Sequence, residues 1–207
     1  MYRMRRSASA LVLSAILLGP ALMGQVAPIV RKGTTELGVF IGSSYGTDAF
    51  RVMGGGNVSY AVTKMFMPYA EFSYFPGLPR QAPGGTDVNG NPIVAKFDLP
   101  LADYHAGVHI RFPLAEHRFV PYAVFGVGGV HNYSTTYNFS LVAAGSQRNQ
   151  VQPVPADTSF AVNFGGGIRY YINQKYGVRV EAKVYKATGT INDIFSKYEF
   201  GFFYQIR

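Results

Sequence analysis

The sequence predicts an all-β protein, an eight-stranded antiparallel up-and-down barrel, and three observations carry this prediction. Apolar and polar residues alternate with period two in eight segments. The connections between these segments are alternately short and long, and aromatic residues stand near the ends of the apolar faces. The 207 residues include 24 Gly, 15 Tyr and 16 Phe, and a chain of this length fits one domain.

Each alternating segment is about as long as a tilted strand that crosses a lipid bilayer. In the seventh segment Val178 and Val180 share one face, and Arg179 and Glu181 share the other. The fifth segment is ambiguous because apolar residues occupy both of its faces. The predicted strands are 35–45, 52–62, 65–75, 101–112, 119–133, 158–172, 176–186 and 197–206.

The connections sort by parity, since the second, fourth and sixth are short and the others are longer. Two connections, 76–100 and 134–157, are long, polar and rich in Gly and Pro. This alternation predicts turns at one end of the barrel and loops at the other, as in transmembrane barrels with short periplasmic turns and long outer loops. Within 76–100, the pair Asn89-Gly90 predicts the turn of a β-hairpin that extends the loop.

The first residues predict an export signal. Arg3, Arg5 and Arg6 precede the apolar run "ALVLSAILLGPALMG", which is shorter than the about 20 residues of a membrane-spanning helix. We therefore expect a cleaved signal peptide at 1–24 and a barrel domain at 25–207.

Composition excludes several classes of protein. The chain has no cysteine, which rules out a lipid-modified cysteine, disulfides and thiolate metal sites. The formal net charge of +8 is spread thinly along the chain and forms no basic patch, so we expect no nucleic-acid partner.

Two interpretations of the faces are open. A soluble exported ligand-binding barrel would point its apolar faces inward, whereas a membrane barrel would point them to lipid. Aromatic residues at the ends of the apolar faces, such as Tyr104 and Phe112, favour the membrane barrel, because aromatic girdles lie at lipid headgroups. The polar faces mix Gly with charges of both signs, which suits a narrow, crowded interior.

The strings "PYAVFGVGG", "FGGGIRYYI" and "YGVRVEAKVY", together with the signal peptide and the aromatic last strand, resemble the outer-membrane β-barrel family. The resemblance covers the chain after the signal and is to the eight-stranded group of the OmpA transmembrane domain, the OmpX type and the opacity-type proteins. It implies a monomer in the outer membrane of a Gram-negative-type bacterium. The implied partners are outer-membrane lipid and lipopolysaccharide, the barrel-insertion machinery, and extracellular or host surface ligands at the outer loops.

The resemblance also implies a C-terminal insertion signal on the last strand. Chains of the family typically end on an aromatic residue, whereas this one ends on Arg207. The residues expected to serve as the signal are Tyr198, Phe200, Phe202, Tyr204 and Ile206.

An eight-stranded barrel is only wide enough for side chains to fill it. We therefore expect a structural or surface-interaction role, in envelope integrity or adhesion, with at most a narrow gated pore. The charged residues of the polar faces are expected to pair across the lumen. These residues are Glu71, Asp103, Arg111, Arg169, Arg179, Glu181, Lys183 and Glu199.

A lipid A-modifying hydrolase at the outer rim is a further alternative. It would use His131, Ser134 and Asp157, although His and Ser are three residues apart here and two apart in the deacylases of the resemblance. We expect no catalytic residue, cofactor or metal. Cations near the loops, Arg51, Arg80, Lys96 and Arg148, are candidates for contact with lipid phosphates.

Overall fold

The structure, a computed structural model, describes residues 30–46, 51–77, 80–86, 89–97, 100–113, 118–141, 150–188 and 194–206. The predicted signal peptide and Arg148 lie outside these residues.

Eight of the described strands close into one antiparallel barrel, in which the first strand of the chain pairs with the last. The predicted fold is therefore confirmed, with strand ends within about three residues of those expected. The barrel strands are β1 (Thr35–Tyr45), β2 (Arg51–Tyr60), β3 (Phe66–Phe75), β6 (Leu101–Arg111), β7 (Phe119–Asn132), β10 (Asp157–Tyr171), β11 (Tyr176–Thr188) and β12 (Ile194–Ile206).

Closure joins the first strand to the last. β1 pairs with β12 along its whole length, from Thr35 opposite Ile206 to Tyr45 opposite Ser196. Because β1 also pairs with β2, and β12 with β11, neither strand is left with an unpaired edge. Among the described residues, no helix is long and apolar enough to cross a membrane.

The ambiguous fifth segment is resolved by its neighbours. Tyr122 of β7 lies opposite Arg111 of β6 and Gly167 of β10, and residues that are opposite each other share a face. Val120, Tyr122 and Val124 are consequently buried in the lumen, whereas Phe125 points outward.

The long connections form a second sheet that the sequence did not predict as a whole. Its strands are β4 (Arg80–Thr86), β5 (Pro92–Phe97), β8 (Thr135–Leu141) and β9 (Gln150–Val154), in the order β4-β5-β8-β9. The hairpin expected at Asn89-Gly90 is present as β4–β5, with Gly90 at φ +80°. The hairpin β8–β9 and its pairing with β5 were not expected, since 134–157 was interpreted as a loop. We call these four strands the loop sheet.

Candidate functional site: the charged lumen

The centre of the barrel holds a buried ion cluster. The ammonium of Lys183 lies 2.5 Å from Glu71 Oε1, 2.6 Å from Glu181 Oε1 and 3.0 Å from Glu199 Oε1. These residues come from β11, β3 and β12, so the contacts cross the lumen and tie opposite walls of the barrel together.

Lys197 is the second cation of this cluster. Its Nζ lies 2.9 Å from Asp103 Oδ2 and 3.2 Å from Glu71 Oε1, and it donates to Ser73 Oγ at 2.7 Å. Lys197 was not among the predicted lumen residues. The signal was available, because strand alternation places Lys197 on the same face as Glu199.

Arg179 completes the central cluster. Its Nη2 lies 3.3 Å from both Glu71 Oε2 and Glu199 Oε2, and its Nη1 lies 3.8 Å from Glu181 Oε2. The guanidinium also packs over the ring of Phe40, 5.4 Å from its centroid. One planar, multiply donating side chain therefore bridges three of the carboxylates.

Three carboxylates of the cluster, Glu71, Glu181 and Glu199, are close enough together to be ligands of one metal ion. Lys183 Nζ, however, contacts an oxygen of each within 3.0 Å. A cation is already supplied by the chain itself, so the arrangement is that of an ion-paired core.

A second cluster lies nearer the end of the barrel that carries the short turns. This cluster is centred on the carboxylate of Glu36. Arg111 Nη1 lies 3.8 Å from Glu36 Oε1, and Arg169 Nη1 lies 3.7 Å from Glu36 Oε2. Tyr171 Oη and Gln205 Nε2 donate to Glu36 Oε1 at 3.1 and 2.9 Å. Glu36 was also missing from the predicted network, although it stands on the polar face of β1.

His109 connects the two clusters. Its ring stacks on Tyr69 with centroids 4.3 Å apart, and its Nε2 lies 3.7 Å from Glu181 Oε2. Its Nδ1 is 2.9 Å from Arg169 Nη2. Because a guanidinium only donates, Nδ1 accepts this hydrogen bond.

The lumen is closed by its side chains. The eight predicted lumen residues are all buried, with at most 4 % of their surface accessible. Apolar groups pack on either side of the ions, with Tyr185 and Phe195 toward the loop end and Val120 and Phe203 toward the turn end. Since the lining of an open water-filled channel would be accessible, the described residues leave no open passage through this layer.

Inward-facing glycines make room for the large lumen side chains. A Cβ added to Gly167 would overlap the backbone carbonyl oxygen of Val180 and stand 2.7 Å from Tyr122 Oη, and one added to Gly177 would overlap the ring of Phe203. The "GGG" of 165–167 therefore serves close packing, as strand glycines commonly do.

The outer wall has the opposite character. Val39, Ile41, Phe164 and Phe200 are more than half exposed at mid-strand, and many other large apolar side chains share this surface. The last strand follows the same pattern: Tyr198, Phe200, Phe202 and Ile206 are exposed, and Tyr204 is half-buried. A wall that is apolar outside and charged inside reverses the polarity of a soluble barrel.

Several solved structures share this architecture. A major outer membrane protein from Thermus thermophilus aligns with a TM-score of 0.57 at 8 % identity, over 83 % of this chain and 99 % of that one. Ail, the attachment invasion locus protein of Yersinia pestis, in complex with the heparin analogue sucrose octasulfate, gives 0.53 at 12 % identity, over 85 % and 100 %. Neisserial surface protein A gives 0.51 at 10 % identity, over 84 % and 96 %.

The chain has the fold of an eight-stranded outer-membrane β-barrel. The resemblance found in the sequence is thus confirmed at the level of fold. No protein-family model matches the sequence, and no curated protein matches it.

At the outer rim of the barrel, His131 Nδ1 lies 2.8 Å from Thr158 Oγ1, and its ring packs edge-on against Tyr133. Ser134 is exposed and Asp157 half-buried. The hydrogen bond made by His131 Nδ1 is thus to a threonine and not to the serine that a hydrolase would require.

Two of the cations expected near the loops, Arg51 and Lys96, differ in their exposure. Arg51 is 3 % exposed and lies inside the barrel, so its interpretation as a surface cation was wrong. Strand alternation explains the difference, because β2 begins at Arg51 and points it to the same side as Met53. Lys96 of the loop sheet is exposed.

Proposed function

We propose that this chain is a monomeric, non-enzymatic outer-membrane protein whose closed barrel holds the loop sheet at the outer surface. The observation that carries the proposal is the reversed polarity: paired charges fill the lumen and large apolar side chains cover the wall. In water such a wall would drive aggregation, whereas in a bilayer it meets lipid.

The turns and loops define the orientation. The short turns would face the periplasm, and the loop sheet would face lipopolysaccharide and the exterior. Export through the signal peptide at 1–24, leaving the domain 25–207, belongs to the same proposal. So does handling by the insertion machinery through the signal Tyr198, Phe200, Phe202, Tyr204 and Ile206.

Envelope fractionation with a heat-modifiability gel tests the membrane proposal. We expect the protein in the outer-membrane fraction, with a band that migrates differently before and after boiling. A periplasmic protein whose band does not shift would contradict it, and a soluble ligand-binding barrel would then replace it.

The insertion signal has its own test. In cells, Tyr204→Ala should lower the amount of heat-modifiable protein, while the purified variant should still fold in detergent. An equal defect in both settings would show that Tyr204 serves stability and not recognition.

A surface-interaction role is favoured by the loop sheet, an ordered platform that the barrel itself does not need. Its edge strands carry Pro83 and Pro153, which obstruct strand addition, so its faces are the more suitable binding surface. Ail, which shares the fold, has been crystallised with a heparin analogue. The test is adhesion to host cells and matrix after both hairpins are replaced by short Gly/Ser linkers in a barrel that still shifts on heating.

A rim hydrolase finds less support, since His131 is engaged by Thr158. Mass spectrometry of lipid A from cells with His131→Ala and from wild-type cells should give the same acylation pattern. A changed pattern would restore the enzymatic alternative.

A further inference from the structure

The turn end of the barrel carries a set of exposed cations. Lys32, Lys64, Arg118 and Lys175 are all exposed, and each comes from a different segment at this end. The described parts of these segments, 30–34, 61–65, 112–113, 118 and 172–175, contain no Asp or Glu. Glu116, the acidic residue of the 112–118 connection, lies outside the described residues.

Backbone hydrogen bonds hold these segments in place around the barrel mouth. One bond joins two cation-bearing segments, from Gly33 N to Ala61 O at 2.7 Å. The other three join such a segment to the end of an adjacent strand: Arg111 N to Met65 O at 2.7 Å, Tyr171 N to Arg118 O at 3.0 Å, and Gln205 N to Lys175 O at 2.7 Å. The cations are therefore spaced around one rim on a hydrogen-bonded frame. We call them the cationic rim.

An aromatic belt lies immediately beside this rim. Phe66, Phe112, Phe119 and Tyr176 each begin or follow a strand at the turn end and expose between 41 and 49 % of their surface. Aromatic residues of membrane proteins concentrate at the level of the lipid headgroups. Cations that stand just beyond the belt are consequently at the depth of headgroup phosphates.

We propose that the cationic rim binds anionic phospholipid headgroups of the leaflet that surrounds the turn end. Lysine and arginine side chains there meet phosphate oxygens in charge-assisted contacts, while their stems lie along the aromatic belt. The inference rests on the membrane placement proposed above and adds to it a lipid preference at one end of the barrel.

The test is lipid selectivity in nanodiscs of phosphatidylcholine with a minor fraction of phosphatidylglycerol. Native mass spectrometry of the released barrel measures the ratio of the two lipids that stay bound. The test variant is Lys64→Gln with Lys175→Gln. Both turns keep their backbone contacts, because Thr63 Oγ1 accepts from Phe66 N at 2.8 Å and Asn173 Oδ1 accepts from Tyr176 N at 2.9 Å.

The matched control changes the net charge by the same two units at the other end, with Lys186→Glu at an exposed lysine of β11. We expect the wild type and the control to enrich phosphatidylglycerol. The rim variant lacks two surface cations that contribute about fivefold each, so it should lose this enrichment by roughly 25-fold. High salt should lower the enrichment as well.

Equal losses in the rim variant and in the control would overturn the proposal, because they would report net charge and not the rim. Unchanged enrichment in the rim variant would also overturn it. If soluble polyglutamate bound the wild type but not the rim variant while lipid ratios stayed equal, the rim would be a polyanion site instead. If the band of the protein in the discs did not change its migration on boiling, the membrane placement would be contradicted, and the lipid preference with it. If the band still shifted but phosphatidylglycerol was not enriched, only the lipid preference would be contradicted.

Discussion

Replacing Lys183 by methionine should destabilise the barrel strongly. The ammonium contacts Glu71, Glu181 and Glu199, and the central cluster then retains Lys197 and Arg179 against four carboxylates. Removing one partner from a buried ion cluster typically costs about 3–5 kcal/mol, because the remaining charges stay out of water without compensation.

Glu181 should account for most of this loss. Without Lys183 its cation contact is Arg179 Nη1 at 3.8 Å, together with the hydrogen bond that Tyr122 Oη donates to Oε2 at 2.5 Å. The double variant Lys183→Met with Glu181→Gln removes both charges. We expect it to be less destabilised than the sum of the single variants by about 1–3 kcal/mol.

The assay is urea unfolding in lipid vesicles, with the folded fraction read from the heat-modifiable band of unboiled samples. A gel readout is suitable because the chain has no Trp for fluorescence. Lys96→Met, at an exposed position of the loop sheet, is the matched control and should leave the midpoint unchanged. The reasoning is refuted if Lys183→Met unfolds within about 1 kcal/mol of the wild type, or if the double variant loses the full sum.

Three further outcomes follow from the same structure. Gly167→Ala should lower the free energy of unfolding by about 1–3 kcal/mol, because the added methyl overpacks against the Val180 backbone carbonyl and the Tyr122 side chain. Gly54→Ala, whose added Cβ would be 3.6 Å from its nearest atom, should leave stability unchanged, and urea midpoints compare the two variants. Phe200→Arg, at mid-bilayer, should lower the free energy of unfolding by about 2–4 kcal/mol, whereas Tyr176→Arg, at the interface, should lower it by at most about 1 kcal/mol. Equal losses of stability in the two variants would contradict the assigned membrane depth. In planar bilayers the wild type should show no steady open channel, and a stable unit conductance would contradict the closed lumen.

Strand assignment was predictable because its signal is local. Alternation with period two needs only neighbouring residues, and it placed all eight strands and the outward faces of segments such as 176–186. In the Gly-rich segment 119–133, however, apolar residues lie on both faces, so alternation did not show which face points inward. Its inward face was decided by pairing with Arg111 and Gly167, which are distant in sequence.

The predicted lumen residues were found from the same alternation, but their partners were not. Glu36 and Lys197 stand on the polar faces of β1 and β12, so alternation was enough to place them in the lumen, but it does not say which residues they contact. Their importance comes from the stagger of the closed barrel, which brings Glu36 to Arg111 and Arg169, and Lys197 to Asp103.

The eight barrel strands, the sorting of turns and loops, and the charged and apolar faces could be read from the sequence, because each depends on residue order within one segment or connection. Three features became visible only in the folded barrel: which charges pair, that the lumen is closed among the described residues, and that two loops form one sheet. The same is true of the rim on which Lys32, Lys64, Arg118 and Lys175 meet. These features depend on register and closure, which bring together residues that are far apart along the chain.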